Sequence, residues 1–461
     1  LKFYAYLEIG IAVFGVLSVP LLGLLQSVYV SLVRELALSQ LFVPYLRVLC
    51  ASIALLIPTT LMGATLPALI RALCSANHEM GKQSGILYGI NTLGAVLGTI
   101  VCAYYLIENF GLSGAVWCGA ICNIVAACLT LVVSNFLPNS AGMQPAGAKT
   151  LHVSDMSSAA PVYSSGMLRL VMIAFALSGL FALCYEVLWT RYLIFVLGTN
   201  SVYAFSAILT CFLFGIMLGS IIVSRYCDGL ERPVGVFGVV LGLVGASAIC
   251  VMALSSALFG PLTALDPRVA GMLQFVLLLL VPTTFSGMTF ALVAKVYARS
   301  PKRFANDTGL LYALNTLGSI FGAVLGGFVI LPLVGAQQGI VLVALLNVIV
   351  GVVILMRERP RWLTSLRLIT AAVVFVLLAI PAFRADQIAL ASLMDKNDQL
   401  LFFRDGSESS IGVVEIPSDG DRYILVDGDQ QAVTTVSGHF SLRLLGHLPP
   451  LFSRERSKGL I

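Results

Sequence analysis

Read from its first residue, the chain repeats one pattern: long runs almost without charge, parted by short loops that carry lysine and arginine. The apolar runs fall at about 9–31, 45–70, 83–106, 112–134, 170–190, 200–223, 234–256, 270–294, 308–331, 336–356 and 368–383. A helix rises about 1.5 Å per residue, so about 20 apolar residues cross a hydrocarbon core of roughly 30 Å. The pattern therefore predicts eleven membrane-crossing helices. Between the fourth and fifth runs, "PNSAGMQPAGAKTLHVSDMSSAAPVYSSG" has the Ser/Ala/Pro/Gly make-up of a flexible loop. After Phe383 the pattern changes. "IGVVEI" and "RYILVDG" alternate apolar and polar positions around a Ser-Asp-Gly-Asp turn, which predicts a β-hairpin. "HFSLRLLGHLPPLF" then spaces Leu442, Leu445 and Leu448 as on an amphipathic helix ended by two prolines.

Composition supports the membrane reading. Hydrophobic residues make up 59% of the chain and charged residues 11%, against roughly 25% charged in soluble domains. The mean hydropathy is +0.97. The net charge of +5 is spread over the loops, so it speaks to topology and not to nucleic acid. With the chain start taken as cytoplasmic, fifteen Lys and Arg fall in inside loops, against Arg34, Arg47, Arg191 and Arg268 outside. Residues 368–383 follow the basic "RERPRWLTSLR"; if they cross, the tail beyond them is extracytoplasmic. The ten cysteines lie mostly singly in apolar runs and there are only four histidines, so neither a metal site nor a disulfide framework is expected.

An internal repeat runs at a constant offset of 224 residues. "PTTLMGAT" at 58–65 matches "PTTFSGMT" at 282–289, and "GILYGINTLGAVLG" at 85–98 shares eight of fourteen residues with "GLLYALNTLGSIFG" at 309–322. Gly111 matches Gly335. The second copy has six runs and the first only the last four. With Leu1 in first place, no initiator Met and no signal-peptide pattern, the chain is expected to be a fragment whose first copy lacks two opening helices. Six crossings per copy give both copies one orientation, a parallel repeat as in the halves of major facilitator transporters.

Polar groups inside apolar runs are the candidate functional residues, because ionisable groups are costly in hydrocarbon. "SGLFALCYEVLWTRYL" at 178–193 sets Glu186 and Arg191 beside Tyr185 and Trp189 near the outer boundary. One reading makes the aromatics an interfacial belt and lets Arg191 snorkel to headgroups; the other gives Glu186 a partner on another helix. Glu186→Gln is then expected to impair function of the full-length parent, and Trp189→Phe to be tolerated. Asn91 and Asn315 occupy equivalent places and either glue helices together or line a solute path. Pro58 and Pro282 are expected to kink their helices, with the following threonines satisfying the freed carbonyls. "LGSIIVSRYCDG" at 218–229 keeps Gly219, Arg225 and Asp228 of the major facilitator loop between helices two and three.

The tail resembles the N-terminal β-region of spermidine synthases, the polyamine aminopropyltransferases. "VDGDQQ" carries Asp427, Gly428 and Gln431, and "GHLPP" carries His447 and Pro449. The family's usual strand Gln is Ser409 here, and its Tyr-His pair is Ser441 and Leu442. The membrane half resembles the multi-span region fused to spermidine-synthase-like domains in many bacterial proteins. The resemblance implies an α-helical polytopic protein of the bacterial inner membrane, with a duplicated six-helix, major-facilitator-like half and a small β-rich start of a synthase-like domain. Its parts would be 1–135, first repeat; 136–167, linker; 168–357, second repeat; 358–383, basic linker and further transmembrane helix; and 384–461, synthase-like start. The resemblance places the catalytic groups beyond Ile461, so this fragment would be inactive and hold no cofactor. The parent would transfer an aminopropyl group from decarboxylated S-adenosylmethionine to an amine. The alternatives are a carrier of a small solute with a vestigial or regulatory tail, and a scaffold whose helices only anchor. The lipid bilayer and a small amine or other solute are the expected partners, with no nucleic acid.

Overall fold

The computed structural model describes residues 1–35, 42–73, 80–136, 163–197, 201–259, 267–297, 301–358, 398–406, 409–418 and 420–435. These are mainly helical: α1 (Lys2–Glu35), α2 (Val43–Leu73), α3 (Met80–Val101), α4 (Ile107–Phe136), α5 (Ser165–Leu197), α6 (Val202–Ser224), α7 (Pro233–Phe259), α8 (Pro267–Tyr297), α9 (Pro301–Leu325), the short α10 (Leu331–Val334) and α11 (Ala336–Glu358). Among the described residues, nine helical stretches are long and apolar enough to cross a membrane. One of them, Lys82–Phe136, contains a non-helical break at Gly111 (φ 68°), between the predicted runs 83–106 and 112–134. The eleventh run, 368–383, lies outside the described residues.

The 224-residue offset reappears in the backbone. α2 and α8 have equivalent bounds. A π-helical turn follows α3 at Cys102–Leu106 and follows α9 at Gly326–Ile330. The chain then breaks at Gly111 and at Gly335 (φ 87°), a left-handed conformation that glycine adopts without a Cβ penalty. The threonines also repeat, though not as expected. Thr59 and Thr60 donate to the carbonyls of Leu55 and Leu56 (2.6 and 2.5 Å), and Thr283 and Thr284 to those of Leu279 and Leu280 (2.6 Å each). Pro58 and Pro282 free the carbonyls four residues back, at Ala54 and Leu278. The hydroxyls thus bond the next carbonyls along. A threonine directly after the proline reaches its own i−4 carbonyl and cannot reach back one further.

The chain forms two compact units. The first comprises Leu1–Leu168 with Ser220–Pro233 and Phe290–Ala313. Here Asp228 ties three segments: its carboxylate accepts from the Lys82 amide (3.1 Å) and lies 3.5 Å from Lys295 Nζ, which also donates to the Asp228 carbonyl. Ser220 Oγ donates to the Gly85 carbonyl (2.7 Å).

The second unit comprises Arg169–Gly219, Val234–Thr289 and Leu314–Ile461. Its helices meet at glycines that admit close backbone approach. A Cβ on Gly219 would strike the Thr284 carbonyl, one on Gly287 the Ile216 carbonyl, and one on Gly245 the Ala344 carbonyl. These contacts fix relative directions: α5 runs parallel to α9 and α6 to α8, while α11 runs antiparallel to α5 and α7. Alternate crossing requires that arrangement. The core gathers Trp189, Tyr192, Leu188, Leu193, Ile249, Met252 and Ile340, all almost fully buried.

A four-stranded antiparallel sheet completes this unit: β1 (Gln399–Asp405), β2 (Ser410–Ile416), β3 (Asp421–Val426) and β4 (Asp429–Val433), in chain order. The predicted hairpin is β2–β3, with Val413 opposite Ile424. β3 turns into β4 through Asp427 and Gly428, both at positive φ (52° and 86°), as a two-residue type I′ turn requires.

Filling the glycine contacts should cost stability. Gly219→Ala and Gly287→Ala are each expected to destabilise by about 1–3 kcal/mol through overpacking. Gly242→Ala, where an added Cβ meets nothing within 4 Å, should be neutral. Thermal unfolding in detergent checks this, and equal melting temperatures for all three variants would contradict the packing.

Candidate functional site

The sheet is held against the C-terminal end of α5 and the N-terminal end of α11. Arg191, near the end of α5, places Nη1 3.1 Å from Oδ1 of Asp427. The two side chains are 17% and 8% exposed, so the charges are largely withdrawn from water and depend on each other. The same Oδ1 accepts from the Ser410 amide (2.8 Å), and the Asp427 amide donates back to the Ser410 carbonyl (2.9 Å). Asp427 therefore closes the β3–β4 turn and meets the arginine with one carboxylate.

Two further contacts anchor the sheet. Oδ2 of Asp405, at the end of β1, accepts from the Ala336 amide (2.8 Å), the first of α11. An α-helix leaves its first N–H groups without an internal partner and favours negative charge there, so Asp405 acts as a cap. Its Oδ1 accepts from Ser410 Oγ. Phe195, beyond Arg191 on α5, is buried with Val414, Tyr423 and Leu425 and packs edge-on to Phe403 with ring centroids 5.1 Å apart. Residues 331–338 and β1 line an open cleft of about 510 Å³ beside this junction.

The residues singled out from sequence fare differently. Arg191 and Asp427, proposed for unrelated reasons and 236 positions apart, form one pair. Arg191 is thus bound to protein and does not snorkel to headgroups. Tyr185 and Trp189 are 5% and 1% exposed and belong to the protein core, with Trp189 edge-on to Tyr192, so the interfacial-belt reading gives way to core packing. Glu186 is partly exposed and makes no hydrogen bond or ion pair among the described residues. Asn315 Nδ2 donates to the Phe175 carbonyl (2.9 Å) and glues α9 to α5, whereas Asn91 is exposed. Gln431 is exposed on β4, in the bulge that lies between the pairs Ile424–Ala432 and Leu425–Gln430. His447, Ser441 and Leu442 lie outside the described residues, and Ser409 precedes β2.

Sequence reasoning missed Asp405 and Phe195. An aspartate closing a strand carries no signal for capping a helix almost seventy positions earlier. It also missed a narrow cavity of mixed lining in the second unit, where Ser178, Tyr185, Ser286, Thr289 and Asn347 face Phe181, Ala182, Leu241 and Val244. Its free space of about 10 Å³ admits about one water-sized sphere and no solute. No group of three or more His, Cys, Asp or Glu suited to a metal ion occurs among the described residues.

Outside the apolar spans, Cys227 is buried and donates to the Ala291 carbonyl (3.3 Å). Burial, and then the nearby Asp228 charge, push its thiol up to about 12, while Lys295 opposes them.

Two outcomes follow from these contacts. Asp427→Asn keeps an acceptor for the Ser410 amide and tolerates positive φ, so it removes the charge alone. With Arg191→Ala it should show a coupling of about 0.5–3 kcal/mol in a double-mutant cycle, read as release of the sheet to limited proteolysis; additive effects would exclude the pair. A thiol raised in the folded state adds stability that is fully present below its ordinary 9.0 and is lost as pH rises toward about 12. Cys227→Ser should therefore flatten the alkaline fall in melting temperature, and an unchanged slope would count against it.

Comparison with models of known protein families and with curated proteins finds no match to this chain.

Proposed function

We propose that this chain is the membrane-embedded part, with the first strands, of a membrane-integral spermidine-synthase-like protein whose helices carry the synthase-like portion at the membrane surface. One observation supports the reading above all. Arg191 of "YEVLWTRYL" holds Asp427 of "VDGDQQ", so the two stretches on which the resemblance rests touch each other. A passive anchor needs no such pair, since one apolar helix suffices to hold a domain at a bilayer. In this reading the parent transfers an aminopropyl group from decarboxylated S-adenosylmethionine to an amine, or performs related nucleoside-linked chemistry. Residues 1–461 provide anchorage and orientation for it. The helices form a duplicated, major-facilitator-like parallel repeat, for which the recurring π-turns and Gly111/Gly335 breaks argue.

A carrier of a small solute is the second reading, and it has its own support. Glu186 finds no partner among the described residues, and intramembrane carboxylates commonly mark ion or solute paths. The narrow cavity around Asn347 would be the nascent path, opened in another conformation.

The sheet belongs on the side of the membrane away from the cytoplasm. It sits at the Ala336 end of α11, whereas Arg357 and the basic residues after it follow from the other end. The positive-inside rule assigns the Arg357 end to the cytoplasm.

Three measurements separate these readings. A reporter active only outside the cytoplasm, fused after Asp405, should be active, and a cytoplasmic reporter there silent; the reverse result removes the assigned side. The natural full-length protein in vesicles should convert labelled decarboxylated S-adenosylmethionine and putrescine to spermidine, with at least a tenfold loss in Arg191→Ala. No conversion, together with solute uptake lost in Glu186→Gln, would replace the transferase with the carrier.

A further inference from the structure

Five polar side chains from three helices converge inside the apolar spans of the second unit. Ser178 and Tyr185 on α5, Ser286 and Thr289 on α8 and Asn347 on α11 line the narrow cavity of about 10 Å³. Three of them already give a proton to a carbonyl of their own helix. Ser178 Oγ donates to Phe175 (2.8 Å), Thr289 Oγ1 to Ser286 (2.7 Å) and Asn347 Nδ2 to Val343 (3.2 Å). A hydroxyl has one proton and two lone pairs, and an amide oxygen only accepts. Ser178 Oγ, Thr289 Oγ1 and Asn347 Oδ1 therefore offer lone pairs to whatever fills the space.

Tyr185 brings the opposite need. Its side chain is 5% exposed, and Oη is buried without a hydrogen-bond partner among the described residues. The hydroxyl faces the Asn347 side chain, but the two lack the geometry of a hydrogen bond. A buried hydroxyl left without a partner is costly, and native interiors rarely keep one. Acceptors thus stand around a donor that none of them reaches. The missing piece must be small and must both accept and donate.

We infer that this cavity is the binding site of one ordered internal water. The water accepts from Tyr185 Oη and donates to two of the three oxygens of Ser178, Thr289 and Asn347. That makes three hydrogen bonds, the usual number for a buried water, and the space admits about one such molecule. A monovalent cation matches the size and the oxygens equally well. No carboxylate lines the space, however, and an unpaired ion inside hydrocarbon costs far more than a neutral molecule. Water wins on charge. The bridge joins α5 to α8 and α11 through an exchangeable molecule, where a direct side-chain bond would lock them. It stands or falls apart from the transferase and carrier readings.

Radiolytic labelling of the full chain in lipid nanodiscs tests this. Brief X-ray irradiation turns bound water into hydroxyl radicals, which oxidise the side chains beside it even when they are buried. Tyr185 should gain oxygen at least tenfold faster than Trp189, which is 1% exposed and lines no part of the cavity. Ala182→Val places added methyl groups in the space and should lower that rate at least tenfold. Tyr185→Phe should lower the unfolding temperature, because it removes a satisfied hydroxyl. Four results would overturn the inference. An unlabelled Tyr185 with a raised unfolding temperature in Tyr185→Phe means a dry cavity. An unlabelled Tyr185 with a lowered one means a direct bond to Asn347. Labelling indifferent to Ala182→Val puts the water elsewhere. Stabilisation by sodium chloride but not choline chloride, lost in Thr289→Val, makes a cation the occupant.

Discussion

Hydrocarbon offers a peptide group nothing to bond with, so each N–H and C=O inside a membrane must find its partner within the protein. The helices answer that demand, and so do their irregularities. Where Pro58 and Pro282 remove a donor, threonine hydroxyls bond the carbonyls just beyond. Where α3 and α9 end, a π-helical turn and a glycine at positive φ let the chain break and restart without a long polar loop. The demand also sets how helices meet. Apolar faces gain little from each other when lipid is equally apolar, so contact relies on close approach and on hydrogen bonds such as Asn315 to Phe175.

The same rule explains why the sheet sits where it does. Helix ends are where unpaired backbone groups and charges collect, and there the sheet contributes its own. Asp405 caps the first amide of α11, and Asp427 balances Arg191. Phe195 carries α5 past the arginine into the apolar face of the sheet. Burial alternates along β2 and β3, so Val414, Tyr423 and Leu425 share the side that receives it. The junction is thus polar at two points and apolar at a third, which fixes orientation as well as contact.

The two copies of the repeat experience different surroundings with nearly the same residues. Asn315 and Asn91 differ in partner and not in sequence context, as do Gly318 and Gly94. An identical motif is glue in one copy and exposed surface in the other, so the motif alone does not assign a role.

Periodicity and composition determined what is local or repetitive. The positions of the helices, the break at Gly111, the β2–β3 hairpin and the offset between copies follow from runs of apolar residues, glycines and alternation, which act over a few residues. Tertiary structure decided everything that depends on distant partners. That Arg191 faces Asp427 across 236 positions, that Trp189 is core and not interface, and that Asp405 caps α11 are facts of packing. A charged or aromatic residue reads the same in sequence whether it faces water, lipid or another residue, and only the fold sets which it meets.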